Sequence, residues 1–169
     1  MSAIPKINRI LYATDLSESS NHAYQYAVAL ANLSEAEIRV LHVLSDLPPN
    51  AELLLATILG YASTAELKKQ SKEQIMQSIK AYLQDFCNAV ISEIPACPVL
   101  ANEVVVVAGK PADIILQHIV QSKCDLVVMG SRGHGLIKEA LIGSTSRKVL
   151  KHSPKPVLIV PPITIERNS

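Results

Sequence analysis

The chain has 169 residues, of which 49% are apolar and 18% charged, and its formal net charge is +1. That length suits one domain with a full core, taken here as residues 1–169, and the apolar content excludes a disordered chain. Near-neutral charge without like-charge blocks, no Trp and 4% aromatic residues give no basis for binding nucleic acid or an acidic membrane surface.

No apolar run approaches the ~20 residues of a membrane helix, and the start Met1-Ser2-Ala3-Ile4-Pro5-Lys6 lacks the apolar stretch of a signal peptide. Cys87, Cys97 and Cys124 are odd in number and scattered, which fits neither a disulfide framework nor a zinc motif. A reducing, cytoplasmic setting is the expectation, with Cys87 and Cys124 packed in the core.

Strand and helix patterns alternate along the chain. Arg9 to Thr14 predicts an apolar strand that ends at Asp15. Asn21 to Asn32 predicts a helix with Ala23, Tyr26, Ala27, Leu30 and Ala31 on one face, and Ser17, Ser19 and Ser20 stand ready as N-caps. Glu37 to Val43 predicts the second strand. Leu47 to Ser71 lies outside the minimal alternation: Pro48-Pro49 precede the apolar run Ala51 to Leu59. A helix packed beside the sheet, a flap over a ligand and an interface helix all fit that run. Ile75, Ile79, Tyr82, Leu83, Phe86 and Val90 keep helical spacing, and Glu103 to Val107 predicts a third strand. Pro111 after Lys110 suits a helix start, where its missing N–H costs little, with Ile114, Ile115, His118 and Ile119 as the apolar face. Cys124 to Met129 predicts the fourth strand, Thr145 to His152 a short helix stopped by Pro154, and Pro156 to Val160 the fifth strand.

Continuous apolar strands alternating with helices predict a doubly wound α/β domain, a parallel sheet covered by helices on both faces. Ligands of such sheets bind at the carboxyl ends of the strands, where the strand order reverses. The most informative stretch lies at such an end. Gly130-Ser131-Arg132-Gly133 follows the apolar run Leu126 to Met129; nine residues later come Gly143-Ser144-Thr145-Ser146, opening a helix. Glycine lets backbone N–H groups approach a ligand with no Cβ in the way, and the open N–H groups of a helix start suit phosphate. The segment therefore predicts a nucleotide.

This G-x2-G-x9-G-S pattern resembles the signature of the ATP-binding branch of the universal stress protein family. Arg9 to Ser17 resembles that family's first strand and acidic turn, Leu41-His42-Val43 its second strand, and Pro156 to Val160 its last; the resemblance runs from about Lys6 to Val160. It implies a five-stranded sheet of order 3-2-1-4-5, which makes strands one and four neighbours, so that Asp15 and Gly130 face one crevice. It implies nucleotide contacts at Ala13, Thr14, Asp15, Val43, Met129, Gly130, Arg132, Gly133, Gly143, Ser144, Thr145 and Ser146. Asp15 would contact the nucleoside end and Val43 the adenine, although a turn-capping acid and a plain core valine would look the same in sequence. Ser144 and Ser146 would add hydroxyl donors to the phosphates. Arg132 would add charge, or simply lie in solvent. Ala13 stands where close relatives often carry proline, a departure that removes no polar contact.

The implied ligand is ATP, with Mg or Mn held through the phosphates and no metal site built from protein ligands alone. His134 is a lone histidine, and the five histidines show no ligand spacing. Gly109-Lys110-Pro111 lacks the rest of a P-loop, Gly133-His134-Gly135 lacks the third glycine of a dinucleotide fingerprint, and no G-x-S-x-G elbow occurs. No acid–base pair that would position an attacking water stands out, so the expectation is a regulatory ATP-binding protein with at most slow hydrolysis. The alternatives are a nucleotide-free dimeric interaction protein of the same fold and an enzyme acting on another small molecule. The resemblance also implies a homodimer through Pro156 to Val160, with Pro161-Pro162 ending the pairing and Ile163, Thr164 and Ile165 adding contact beyond it.

Overall fold

A computed structural model of the chain describes residues 3–93, 101–133 and 142–163. Cys97, His134, Gly135, Thr164 and Ile165 lie outside the described residues. In chain order the elements are β1 (Arg9–Thr14), α1 (Glu18–Ser34), β2 (Glu37–Leu44), α2 (Pro49–Ile58), α3 (Thr64–Lys68), α4 (Lys72–Ser92), β3 (Ala101–Ala108), α5 (Pro111–Gln121), β4 (Leu126–Gly130), α6 (Ser144–His152) and β5 (Val157–Val160). The strands form one five-stranded sheet of order β3-β2-β1-β4-β5, parallel throughout, as the sequence and its family resemblance imply.

The sheet divides the apolar side chains by strand alternation. Ile10, Tyr12, Ile38, Val40 and Val128 pack with α1 and α4 on one face, together with Leu55 of α2 and Leu67 of α3. Leu11, Ala13, Leu41, Val43, Val127 and Met129 pack on the other face with Ile115 and Ile119 of α5 and Val149 of α6. Cys87 joins the first core and Cys124 the second, each 1% exposed. Burial pushes both thiols above the ordinary cysteine range.

Local signals explain the helix starts. Ser17 caps α1 by accepting the Ser20 N–H at 3.2 Å, and Ser71 forms a capping box with Gln74 at the start of α4. Pro49 and Pro111 begin α2 and α5 at positions that need no donor. One face is corrected: the buried stripe of α1 runs through Ala23, Tyr24, Ala27, Val28 and Ala31, while Tyr26 is half exposed. Tyr24 lies 4.9 Å from Tyr12, ring to ring, whereas Tyr26 meets His22 edge-on at 5.3 Å. Both tyrosines have helical spacing to buried alanines, and contact with the sheet decides between them.

The apolar run after Pro48-Pro49 is a helix beside the sheet, burying Ala51, Leu55 and Ala56 and leaving Leu53 exposed. No helix among the described residues is long and apolar enough to cross a membrane.

The strand order reverses between β1 and β4. The β1–β2 ladder ends at the Thr14–His42 pair and the β1–β4 ladder at the Ala13–Met129 pair. Beyond those pairs α1 leaves over one face, and α6 packs on the other. The strand ends therefore part, and a crevice opens between them.

Candidate functional site

A cavity of about 480 Å³ occupies this crevice. All twelve residues singled out from the sequence line it, from Ala13 at the end of β1 to Ser146 in the first turn of α6.

The β1 side is built on a tight hydroxyl network. Thr14 Oγ1 lies 2.9 Å from Ser20 Oγ and accepts the Leu16 N–H at 3.0 Å. Asp15 Oδ1 accepts from the Ser17 N–H at 3.0 Å and the Ser17 hydroxyl at 2.5 Å. These bonds hold the chain through a left-handed turn at Leu16, whose φ is 69° without being glycine. Tyr12 donates its phenol to Ser20 O at 2.7 Å, and burial pushes that phenol far above the usual tyrosine range. His42, 5% exposed at the end of β2, bonds the Thr14 carbonyl through Nδ1 at 2.9 Å. A carbonyl only accepts, so the proton of this bond sits on Nδ1. Its sequence signal was a polar residue inside an apolar strand, which the search for phosphate motifs passes over.

The β4–α6 side carries the three glycines, and the structure separates their reasons. A Cβ on Gly130 would come within 3.2 Å of the Ser19 carbonyl carbon and the Ser20 nitrogen, so close packing of β4 on the backbone of α1 already favours glycine there. A Cβ on Gly133 would run into Asp15 Oδ2. Gly143 is different. Its φ is −67° and, among the described residues, a Cβ would meet no atom nearer than 3.5 Å, so neither backbone conformation nor a described neighbour requires glycine.

Gly143 is also the N-cap of α6. It offers no side chain to the orphan N–H groups, and α6 has no acid in its first turn, unlike α1 to α5. The turn is anchored by the Gly143 N–H on Ser131 O at 2.7 Å and the Ser131 N–H on Val160 O at 2.8 Å. One expectation changes here: the Ser146 hydroxyl donates to Gly130 O at 2.9 Å inside the protein, so Ser146 can offer a ligand its backbone rather than its hydroxyl.

Further lining residues were not singled out from the sequence. Ser45, Asp46, Leu47 and Pro48 form a rim between β2 and α2, and Ile115 contributes to the apolar wall. Arg147, one residue past the predicted serines, joins Arg132 in lining the cavity. Ala13, Val43, Ile115 and Met129 make one wall apolar, while the α6 end is rich in donors. Such a cavity suits an elongated ligand with an apolar head and an anionic tail. Among the described residues no group of three or more His, Cys, Asp or Glu is placed to hold a metal ion.

Comparison with known proteins gives a consistent result. Residues 6–161 match the Universal stress protein family. Universal stress protein YxiE of Bacillus subtilis is 32% identical over 155 residues, covering 90% of this chain and 98% of the relative. Universal stress protein MJ0577 of Methanocaldococcus jannaschii is 29% identical over 156 residues, covering 90% and 93%. The solved structure of MJ0577 superposes with a TM-score of 0.65 at 26% identity, over 95% of this chain and 99% of that one. A universal stress protein solved in complex with cAMP shares the fold, with a TM-score of 0.62 at 20% identity over 94% of this chain and 100% of that one.

Proposed function

The chain belongs to the universal stress protein family, and from that premise we propose that it binds ATP in the crevice between β1 and β4 and serves a regulatory, stress-related role. The observation that carries this reading is the first turn of α6. It has no side-chain cap, it lacks an acid, and it faces the cavity beside a glycine that neither φ nor any described neighbour explains. A phosphate would take up the open N–H groups and the space at Gly143. Adenine would lie against the apolar wall near Val43 and Met129, with Asp15 toward the nucleoside. A relative of this fold was solved with cAMP, which supports an adenine nucleotide. Mg or Mn could accompany the phosphates without being needed to hold them. Occupancy would change conformation or partner choice, with hydrolysis at most slow, in a cytoplasmic setting.

Calorimetric titration with ATP, ADP, AMP and cyclic AMP, with and without Mg²⁺, tests the reading. Saturable binding of an adenine nucleotide is expected, as is release of nucleotide from the purified protein on denaturation. No binding heat with any of the four and no released nucleotide would overturn it in favour of a nucleotide-free interaction protein.

The reading extends to a homodimer. β5 is a sheet edge, with Val157, Leu158 and Ile159 only partly buried. An apolar edge invites pairing with a second chain, and two copies related by a two-fold axis would close both edges. His22 Nδ1 lies 3.1 Å from Pro161 O and ties the end of this strand to α1. Light scattering should give a dimer mass, and truncation before Pro156 should abolish the dimer and lower stability. A dimer surviving truncation would move the contact elsewhere, with the α2 helix next in line.

A further inference from the structure

We propose that Arg132 and Arg147 act as a guanidinium pair that neutralises the polyphosphate tail in place of a divalent cation, so that this chain takes nucleoside di- or triphosphates without metal. The identity of the nucleoside rests on the adenine-nucleotide reading above; the anion chemistry does not.

Both side chains line the cavity, one on each side of the Gly143 turn. Arg132 Nε is buried and has no hydrogen-bond partner among the described residues. A buried, unanswered N–H of a charged group is costly unless an acceptor arrives. Among the described residues the Arg147 guanidinium bonds only Ile142 O, at a long 3.4 Å, which leaves the rest of its fork open to a ligand. The other two described arginines are answered, and so are two lysines. Arg9 pairs with Glu37, Arg39 with Glu103, Lys68 with Glu52, and Lys148, the residue after Arg147, with Asp113 at 2.6 Å. Among the described residues Arg132 and Arg147 pair with no acid. Of the carboxylates at the cavity, Asp15 is bonded to Ser17 and Asp46 stands on the β2 rim.

Two guanidinium charges match the charge of a divalent ion, and the helix start adds roughly half a charge more. They are also bidentate donors to phosphate, and guanidinium gives up water more readily than ammonium does. The ligand class that fits has more than one phosphate, because a monophosphate seated on the α6 turn would engage the pair only in part. ATP binding by this chain would then be insensitive to the level of Mg²⁺.

The test uses the full-length protein. Calorimetry with ATP, ADP, AMP, adenosine and inorganic triphosphate is run in EDTA and in excess Mg²⁺, for wild type, Arg132→Gln, Arg147→Gln, the double variant and the control Arg9→Gln. Wild type should bind ATP equally well in both buffers. Each site variant should weaken ATP and inorganic triphosphate in EDTA by about tenfold and leave adenosine unchanged. Mg²⁺ should restore part of the loss in the double variant. Should Arg132→Gln fail to fold by circular dichroism, Arg147→Gln and Arg132→Lys carry the test. Loss of wild-type ATP binding in EDTA overturns the proposal, as does triphosphate binding indifferent to both arginines. Arginine-dependent triphosphate binding with no adenosine binding would uphold the pair and overturn the adenine reading. Adenosine binding with arginine-indifferent triphosphate would do the reverse, and no binding at all overturns both.

Discussion

The two ends of the sheet carry similar chemistry and treat it differently. At the amino end Arg9 and Glu37 lie 3.8 Å apart, Arg39 pairs with Glu103, and the Asp125 carboxylate accepts the Asn8 and Arg9 N–H groups at 2.8 and 3.0 Å. Those backbone donors hold the Asp125 carboxyl below its usual range. A cavity of about 350 Å³ sits there too, lined by the Arg9–Glu37 and Arg39–Glu103 pairs and by Lys123. At the carboxyl end Arg132 and Arg147 pair with no acid among the described residues, and α6 begins without a side-chain cap. Volume and charge content do not separate the two ends. The arginines do: Arg9 and Arg39 are answered by acids, while Arg132 and Arg147 pair with none among the described residues, which suits a ligand that brings its own charge.

That contrast can be broken most severely at Gly143. Gly143→Val should stay folded, because its Cβ meets no described residue nearer than 3.5 Å, and should abolish ATP binding by filling the phosphate space. Gly130→Val should instead lose about 1–3 kcal/mol of stability, since its Cβ presses on the start of α1. Thermal melts and titration of both variants separate the two effects. Wild-type affinity in folded Gly143→Val would sink the phosphate assignment.

A smaller effect is expected at Asp15. Asp15→Ala should weaken both ATP and adenosine by roughly 5- to 150-fold. A loss confined to the triphosphate would show that Asp15 acts through a metal or through the Ser17 turn. The smallest effect sharpens the other end. Asp125→Ala should leave ATP affinity unchanged and lower stability by on the order of 1 kcal/mol at neutral pH. Its folded pKa is depressed, so the stability it contributes is present above the unfolded value of about 3.9 and vanishes as pH falls through the folded value. Urea unfolding of both proteins at neutral and at acid pH should show the gap closing; a constant gap would argue against a role for the charge.

The sheet was legible in the sequence because strands buried on both faces read as unbroken apolar runs. Edges were less so. β5 begins at Val157 rather than Pro156, which contributes only its carbonyl, accepting the Val127 N–H at 3.0 Å. β4 runs on to Gly130 because that residue pairs with Val160, a partner no local pattern reveals. α1 starts at Glu18, directly after one of the serines considered as its cap. The site was legible where motif and topology coincide, at strand ends beside the reversal. It was not legible where distant segments meet. The neighbour that favours glycine at position 130 lies in α1, and the acceptor of the Ser146 hydroxyl lies across the turn in β4. Arg147 and His42 became visible only once the fold had placed them.

The division of the apolar side chains between two cores bears on how the molecule opens. α5 and α6 rest on the core formed with Leu11, Val127 and Met129, while α1 and α4 rest on the other. Layers held by separate contacts open as separate cooperative units, and amide hydrogens exchange accordingly. A ligand lodged between the tip of β1 and the first turn of α6 would stitch the α5–α6 layer to the sheet. Occupancy would then be written as slowed exchange on one side of the molecule, with the amides of α4 scarcely aware of it.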